Sequence, residues 1–136
     1  MIFLVFIYYR ITGSKKSSRY IFFALLIYSG LRYDVGWDYF AYADQIREAY
    51  NTGYISDRYE PLSLMLLMFG VLFKFYPLSF FLFSLLSLTC VYIIIDKYSV
   101  NPLLSWLVYY SMPLFFYESL STIRQGVALS LIVYAY

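Results

Sequence analysis

The sequence has no histidine, one cysteine and little charge. Without histidine there is no imidazole base, no Ser-His-Asp triad and no histidine-held metal in this stretch. The one cysteine, Cys90, lies inside an apolar run, which excludes a disulfide within the chain and a thiolate metal site. Charged residues are 13% of 136 positions, about half of the ~25% usual in a soluble domain. The net charge is only +2 and the basic residues form no extended stripe, so nothing points to nucleic acid. Repeats of fixed period, low-complexity tracts and linkers are also missing. That predicts one domain over residues 1–136, or a piece of one.

What the chain has in abundance is apolar and aromatic surface. It is 62% hydrophobic and 24% aromatic, with mean hydropathy +0.67. Long runs of this kind predict an all-α, polytopic transmembrane bundle of about five to six spans. The runs are Ile2 to Tyr9, Tyr20 to Leu31, Leu62 to Phe75, Leu78 to Ile95, Pro102 to Tyr117, and a last one from Gly126 that is still apolar at Tyr136. The outermost runs are too short to span, so the chain is expected to be a fragment, truncated after Tyr136. Leu78 to Ile95 is charge-free over 18 residues and is the clearest span. Tyr20 to Leu31 reaches spanning length only by borrowing Ser17 and Ser18 or by running on through Tyr33. Pro113 predicts a kink or an early end in the fifth run.

Charge sets the orientation. The loop from Arg10 to Arg19 carries Arg10, Lys15, Lys16 and Arg19 and no acid, so the positive-inside rule makes it cytoplasmic. Arg32 to Glu60 is then outside, and it holds six of the eight acids. Within it, Tyr39, Tyr42, Ala43, Ile46 and Tyr50 form one stripe at helical spacing, opposite Asp38, Asp44, Gln45, Arg47 and Glu48. Such a stripe suits a helix lying in the headgroup layer, ended by Gly53 as a left-handed cap. Three apolar runs separate this loop from Glu118 to Gln125. If all three cross, the two polar segments face opposite sides. If the 62–75 run is re-entrant or sideways, they share one.

The polar residues offer two readings each. Arg32, at a helix end, either snorkels to the interface or grips a phosphate with its planar fork. Asp34 and Asp38 either solvate a loop or accept from sugar hydroxyls, one of them as a general base. Glu60 sits before the helix-opening Pro61, where the helix dipole alone favours an acid; catalysis is the other reading. Thr122 and Gln125 have capping-box spacing. That puts Arg124 in a first helical turn, against the dipole, where it needs an acid such as Glu118 or an anionic ligand.

The stretch Gly30-Leu31-Arg32-Tyr33-Asp34-Val35-Gly36-Trp37-Asp38-Tyr39, with Tyr42, resembles the Leu-Arg-Tyr-x-Val-Gly-x-Asp-Tyr-x-x-Tyr signature of the EpsG family. These are Wzy-like polymerases of bacterial O-antigen and exopolysaccharide. Glu60-Pro61-Leu62, Lys97-Tyr98-Ser99 and Ile123-Arg124-Gln125-Gly126-Val127-Ala128 resemble further family segments, in the same order. Trp37 departs from the pattern, where a small residue is usual, and the chain is much shorter than family members. The resemblance implies a multi-pass enzyme of the bacterial cytoplasmic (inner) membrane. It would join oligosaccharide repeat units carried on undecaprenyl diphosphate, with no metal, nucleotide sugar or other cofactor. A chain-length regulator and a flippase of the same pathway are the implied partners, besides membrane lipid. On this reading Asp38 and Glu60 are the catalytic candidates. Arg32, Asp34, Tyr39, Arg58, Arg124 and Gln125 are the substrate-binding candidates. A flippase or transporter of lipid-linked saccharide, or a non-catalytic subunit of an assembly complex, are the other classes the residues allow.

Overall fold

Proline and glycine decide where the helices begin and stop. In the computed structural model, which describes residues 16–55 and 59–136, the elements are α1 (Lys16–Gly30), α2 (Tyr39–Thr52), α3 (Pro61–Leu72), α4 (Pro77–Tyr98), α5 (Pro102–Ser111), α6 (Phe116–Ser121) and α7 (Ile123–Ala135). Pro61, Pro77 and Pro102 each open a helix, where the missing N–H is an orphan in any case. Pro113 forces the preceding Met112 into extended backbone, so α5 stops at Ser111. Gly53 takes φ 66 and closes α2 by donating its N–H to Ala49 O. Helix covers 78% of the described residues and no strand occurs among them. The expected first helix and most of the basic loop lie outside the described residues.

α4 is the axis. Its 22 residues measure about 33 Å at 1.5 Å per residue, enough for a hydrocarbon layer of about 30 Å. Among the described residues it alone is long and apolar enough to cross a membrane. The five to six spans expected from the runs therefore reduce here to one helix of full length plus shorter ones. α4 also runs on past the charge-free run, through Asp96, Lys97 and Tyr98. One side of it packs with Ile21, Leu25 and Leu26 of α1, Trp106 of α5, and Phe116 and Leu120 of α6. The other side, through Phe80 and Phe83, meets α2, α3 and α7. α1 does borrow the serines: Ser17 and Ser18 are buried in its first turn, and Trp106 Nε1 donates to Ser18 Oγ at 2.8 Å.

One expectation needs correction, and one open alternative closes. The α2 stripe does not lie in a headgroup layer. Tyr39, Tyr42, Ala43 and Ile46 are buried against Leu66, Leu67, Phe80, Ile123 and Val127, with Tyr50 packed at the edge. The aromatic residues left for an interface are Trp37, 93% exposed, and Phe40 on the opposite face. The 62–75 run is a helix of only 12 residues, about 18 Å long, too short to cross. It turns back at Lys74 (φ 50), and Ser79 Oγ donates to Leu67 O. Gly70 lets Ser79 pack against it, because a Cβ there would collide with that hydroxyl. The short α3 keeps the two polar segments on one side.

Candidate functional site

The link between α1 and α2 is built to turn Arg32 inward. Asp34 has φ 53 and Gly36 φ 99, the left-handed region that costs a residue with a Cβ. At Gly36 a Cβ would also stand 2.6 Å from Leu120 O. The loop thus seats on α6, and Trp37 N–H donates to Ser121 Oγ at 3.5 Å. The Trp37 ring points away into the surroundings, so the unusual residue there does not disturb the turn.

Arg32 is 7% exposed, and its Nε has no hydrogen-bond partner. No carboxylate lies within ion-pair distance among the described residues. Its guanidinium stands 5.3 Å over the Phe80 ring, which stacks on Tyr39 at 4.8 Å. Burial pulls the Arg32 pKa down to about 10, so it remains a cation at neutral pH. Beside it is a cavity of about 10 Å³ lined by Ser29, Ser84, Ser87 and Ser119, room for about one water. A desolvated cation–π contact offsets ~2 kcal/mol, less than the several kcal/mol of an unpaired buried charge. An anion is what this arrangement lacks.

Arg124 forms the second cluster, across α3. Its Nη1 donates to both carboxylate oxygens of Glu60 at 3.3 Å. Its guanidinium lies 5.2 Å over Tyr59, and the Tyr42 hydroxyl is within hydrogen-bonding reach. Burial pushes the Tyr42 pKa up to about 12 and likewise that of Tyr39, so both phenols stay neutral donors. Glu60 is held below the usual carboxylate range, first by its own backbone N–H and then by Arg124. An acid of low proton affinity is a poor general base but a good anchor for an arginine. Both contacts use one nitrogen, which leaves much of the Arg124 fork open to a further acceptor.

Tyr39 and Tyr42 join the clusters. They sit one turn apart on α2, the first behind Arg32's ring partner and the second against Arg124. Ile123, next to Arg124, lines the Arg32 cavity. Asp38 occupies the cap position of α2 without a side-chain cap bond, and its charge is felt by Tyr42. Asp34 faces outward with Trp37, Phe40 and Tyr117 around a shallow hollow. Gln125 is turned away from Arg124 into another groove, and the expected capping box does not form. The Thr122 hydroxyl instead donates to Glu118 O at 3.0 Å. Arg58 lies outside the described residues. Sequence reasoning missed Phe80 and the four serines. Ser84 and Ser87, hydroxyls three residues apart in an otherwise apolar helix, were the available signal.

Described residues that are all helical, with one axis of spanning length and cations gathered at helix ends, fit a membrane protein. A family model for the EpsG family matches residues 15–136. The chain belongs to the EpsG family, and with it to polysaccharide biosynthesis. No curated protein and no solved structure matches it.

Proposed function

We propose that this chain is part of a polymerase that joins undecaprenyl-diphosphate-linked oligosaccharide repeat units into exopolysaccharide, capsule or O-antigen. It works as one multi-pass transmembrane domain in the bacterial inner membrane, in which α3 turns back short of crossing. The observation that carries the reading is Arg32: a buried cation with no acid partner among the described residues, in a family of polysaccharide biosynthesis.

The acceptor hydroxyl attacks the anomeric carbon of the growing chain. The bond from that carbon to the diphosphate oxygen breaks, and the lipid diphosphate leaves. Arg32 and Arg124 take the charge that develops on it. The Asp38 carboxylate, which makes no cap hydrogen bond to α2, accepts the hydroxyl proton. Glu60 orients Arg124, Tyr39 backs Phe80 behind Arg32, and Asp34, Arg58 and Gln125 contact substrate. A flippase wants charges at mid-membrane; Arg32 and Arg124 stand at helix ends, which favours transfer chemistry over transport.

The test is polymerisation of purified lipid-linked repeat units by the whole protein, wild type against Arg124→Ala. Product from the wild type and none from the variant, at equal protein level, supports the reading. Equal product from both overturns the role of Arg124, and none from either overturns the polymerase.

A further inference from the structure

The outer face of the link between α1 and α2 carries a wide, shallow hollow of about 460 Å³, within the ~300–1,000 Å³ of small-ligand sites. Trp37, Phe40 and Tyr117 border it, with Asp34 and Ser121 as its polar walls. Trp37 is 93% exposed, yet its backbone is pinned on both sides. Its N–H donates to Ser121 Oγ, and Tyr39 N–H closes the turn on Gly36 O at 3.3 Å. The other two rings are held from behind. Phe40 meets the Tyr39 ring edge-on at 5.5 Å. Tyr117 packs on Phe116 at 5.7 Å and donates to the Tyr110 hydroxyl. Three aromatic rings gathered in one recess mark a binding surface, and rings on fixed backbone give contact area at little entropy cost.

Asp34 decides what covers them. Its carboxylate is exposed and takes part in neither ion pair among the described residues. No lysine or arginine lines the hollow. An ionised carboxylate only accepts hydrogen bonds, so the ligand must bring donors together with an apolar face. A pyranose ring has both, C–H bonds on one face and hydroxyls around its edge. A lipid headgroup layer also takes exposed tryptophan, but its phosphates would meet Asp34 with no cation between them. An acyl chain would strip the carboxylate of water and offer it nothing.

We infer that this hollow is a saccharide subsite selective for neutral sugars. One pyranose ring lies with its C–H face on Trp37 and donates an edge hydroxyl to Asp34, and the single negative charge turns uronic acids away. Leu120 walls both the hollow and the Arg32 cavity, so the ring sits on the outer side of the loop whose inner side seats the cation. That the ring belongs to a lipid-linked repeat unit rests on the polymerase reading; the sugar site itself does not.

The whole protein in phosphatidylcholine nanodiscs is read by saturation-transfer NMR against millimolar methyl β-glucoside, β-galactoside, N-acetyl-β-glucosaminide and β-glucuronide. Saturation is expected on the protons of one ring face of at least one neutral glycoside, and none on the glucuronide. Trp37→Ala removes a side chain that supports no core and should lower the neutral signal about ten-fold. Asp34→Asn should weaken that signal and admit the glucuronide. Phe23→Ala, at a 50% exposed ring on α1, should change neither. No signal from any neutral glycoside, an equal signal from the glucuronide, or an undiminished signal in Trp37→Ala overturns the site. So does fluorescence quenching by brominated phosphatidylcholine that disappears in Trp37→Phe, which would put the ring in the lipid. Glycoside binding by a protein that makes no polymer keeps the subsite and removes the polymerase. Polymer from a wild type that binds no glycoside does the reverse.

Discussion

Arg124 Nη1 sits 3.3 Å from both carboxylate oxygens of Glu60, a residue 64 positions earlier in the chain. The contact exists because α3 is too short to carry Glu60 to the other side. Both partners are open to solvent, Glu60 by 63% of its side chain, so the pair holds geometry more than it holds the fold. Glu60→Gln is therefore expected to leave the melting temperature nearly unchanged while shortening the polymer. Glu60 binds its proton more weakly when folded. Its contribution is thus complete above the ordinary carboxylate value of 4.5 and lost as pH falls below it. Polymerisation between pH 6 and 8, measured in vitro, should show no step from this group.

Arg32 presents the opposite balance. It is buried, without an acid partner among the described residues, and stacked on Phe80, so its charge is a cost to the folded chain. Arg32→Met keeps the packing over the ring and removes that charge. It is expected to stabilise the protein by about 1–3 kcal/mol and to abolish polymer. Arg32→Lys keeps charge but loses the planar fork, and should restore little. Thermal unfolding in detergent read beside polymer length checks both. An Arg32→Met variant that is less stable and still active would remove the anion site. The sign with pH follows from the lowered pKa of about 10: the penalty is full below 10 and fades as pH rises from there towards the ordinary arginine range.

The helices were legible because proline and glycine mark their ends: Pro61, Pro77, Pro102, Pro113 and Gly53 each act where local chemistry requires. Arg32 and Arg124 were legible as unusual cations beside apolar runs. Their surroundings were not. Apolar content cannot tell a half-length helix from a span, because Gly70 and Lys74 interrupt α3 without adding enough polarity to exclude crossing. The α2 stripe fits either a headgroup layer or a protein core, since Tyr39 and Tyr42 are equally content in both. Partners such as Phe80 and Ser119 come from distant positions, and no periodicity encodes them.

Gly36 tests whether the loop seat matters. Its φ of 99 and the Leu120 carbonyl 2.6 Å from a built Cβ leave no room for a side chain. Gly36→Ala should cost about 1–3 kcal/mol and free the loop from Ser121. Faster trypsin cleavage at Arg32 and lowered polymer yield are the expected readouts. Gly53→Ala is the control. It also has positive φ, but nothing lies within 4 Å of its Cβ, so it should share the backbone strain and spare the polymer.

Asp38 and Asp34 separate a proton acceptor from a hydroxyl contact. Asp38 stands at the start of α2, close enough for its charge to act on Tyr42, and Tyr42 touches Arg124. Asp34 faces the outer hollow with Trp37. Asp38→Asn retains shape and loses the base, so the turnover rate should fall about 10²–10⁴-fold with substrate affinity little changed. Asp34→Asn loses only an acceptor, and its effect belongs in KM. The two losses are distinguishable by initial rates over a range of lipid-linked repeat unit. A fall in KM terms alone for Asp38→Asn would return it to a binding role and leave the base to be sought on another segment of the same outer face.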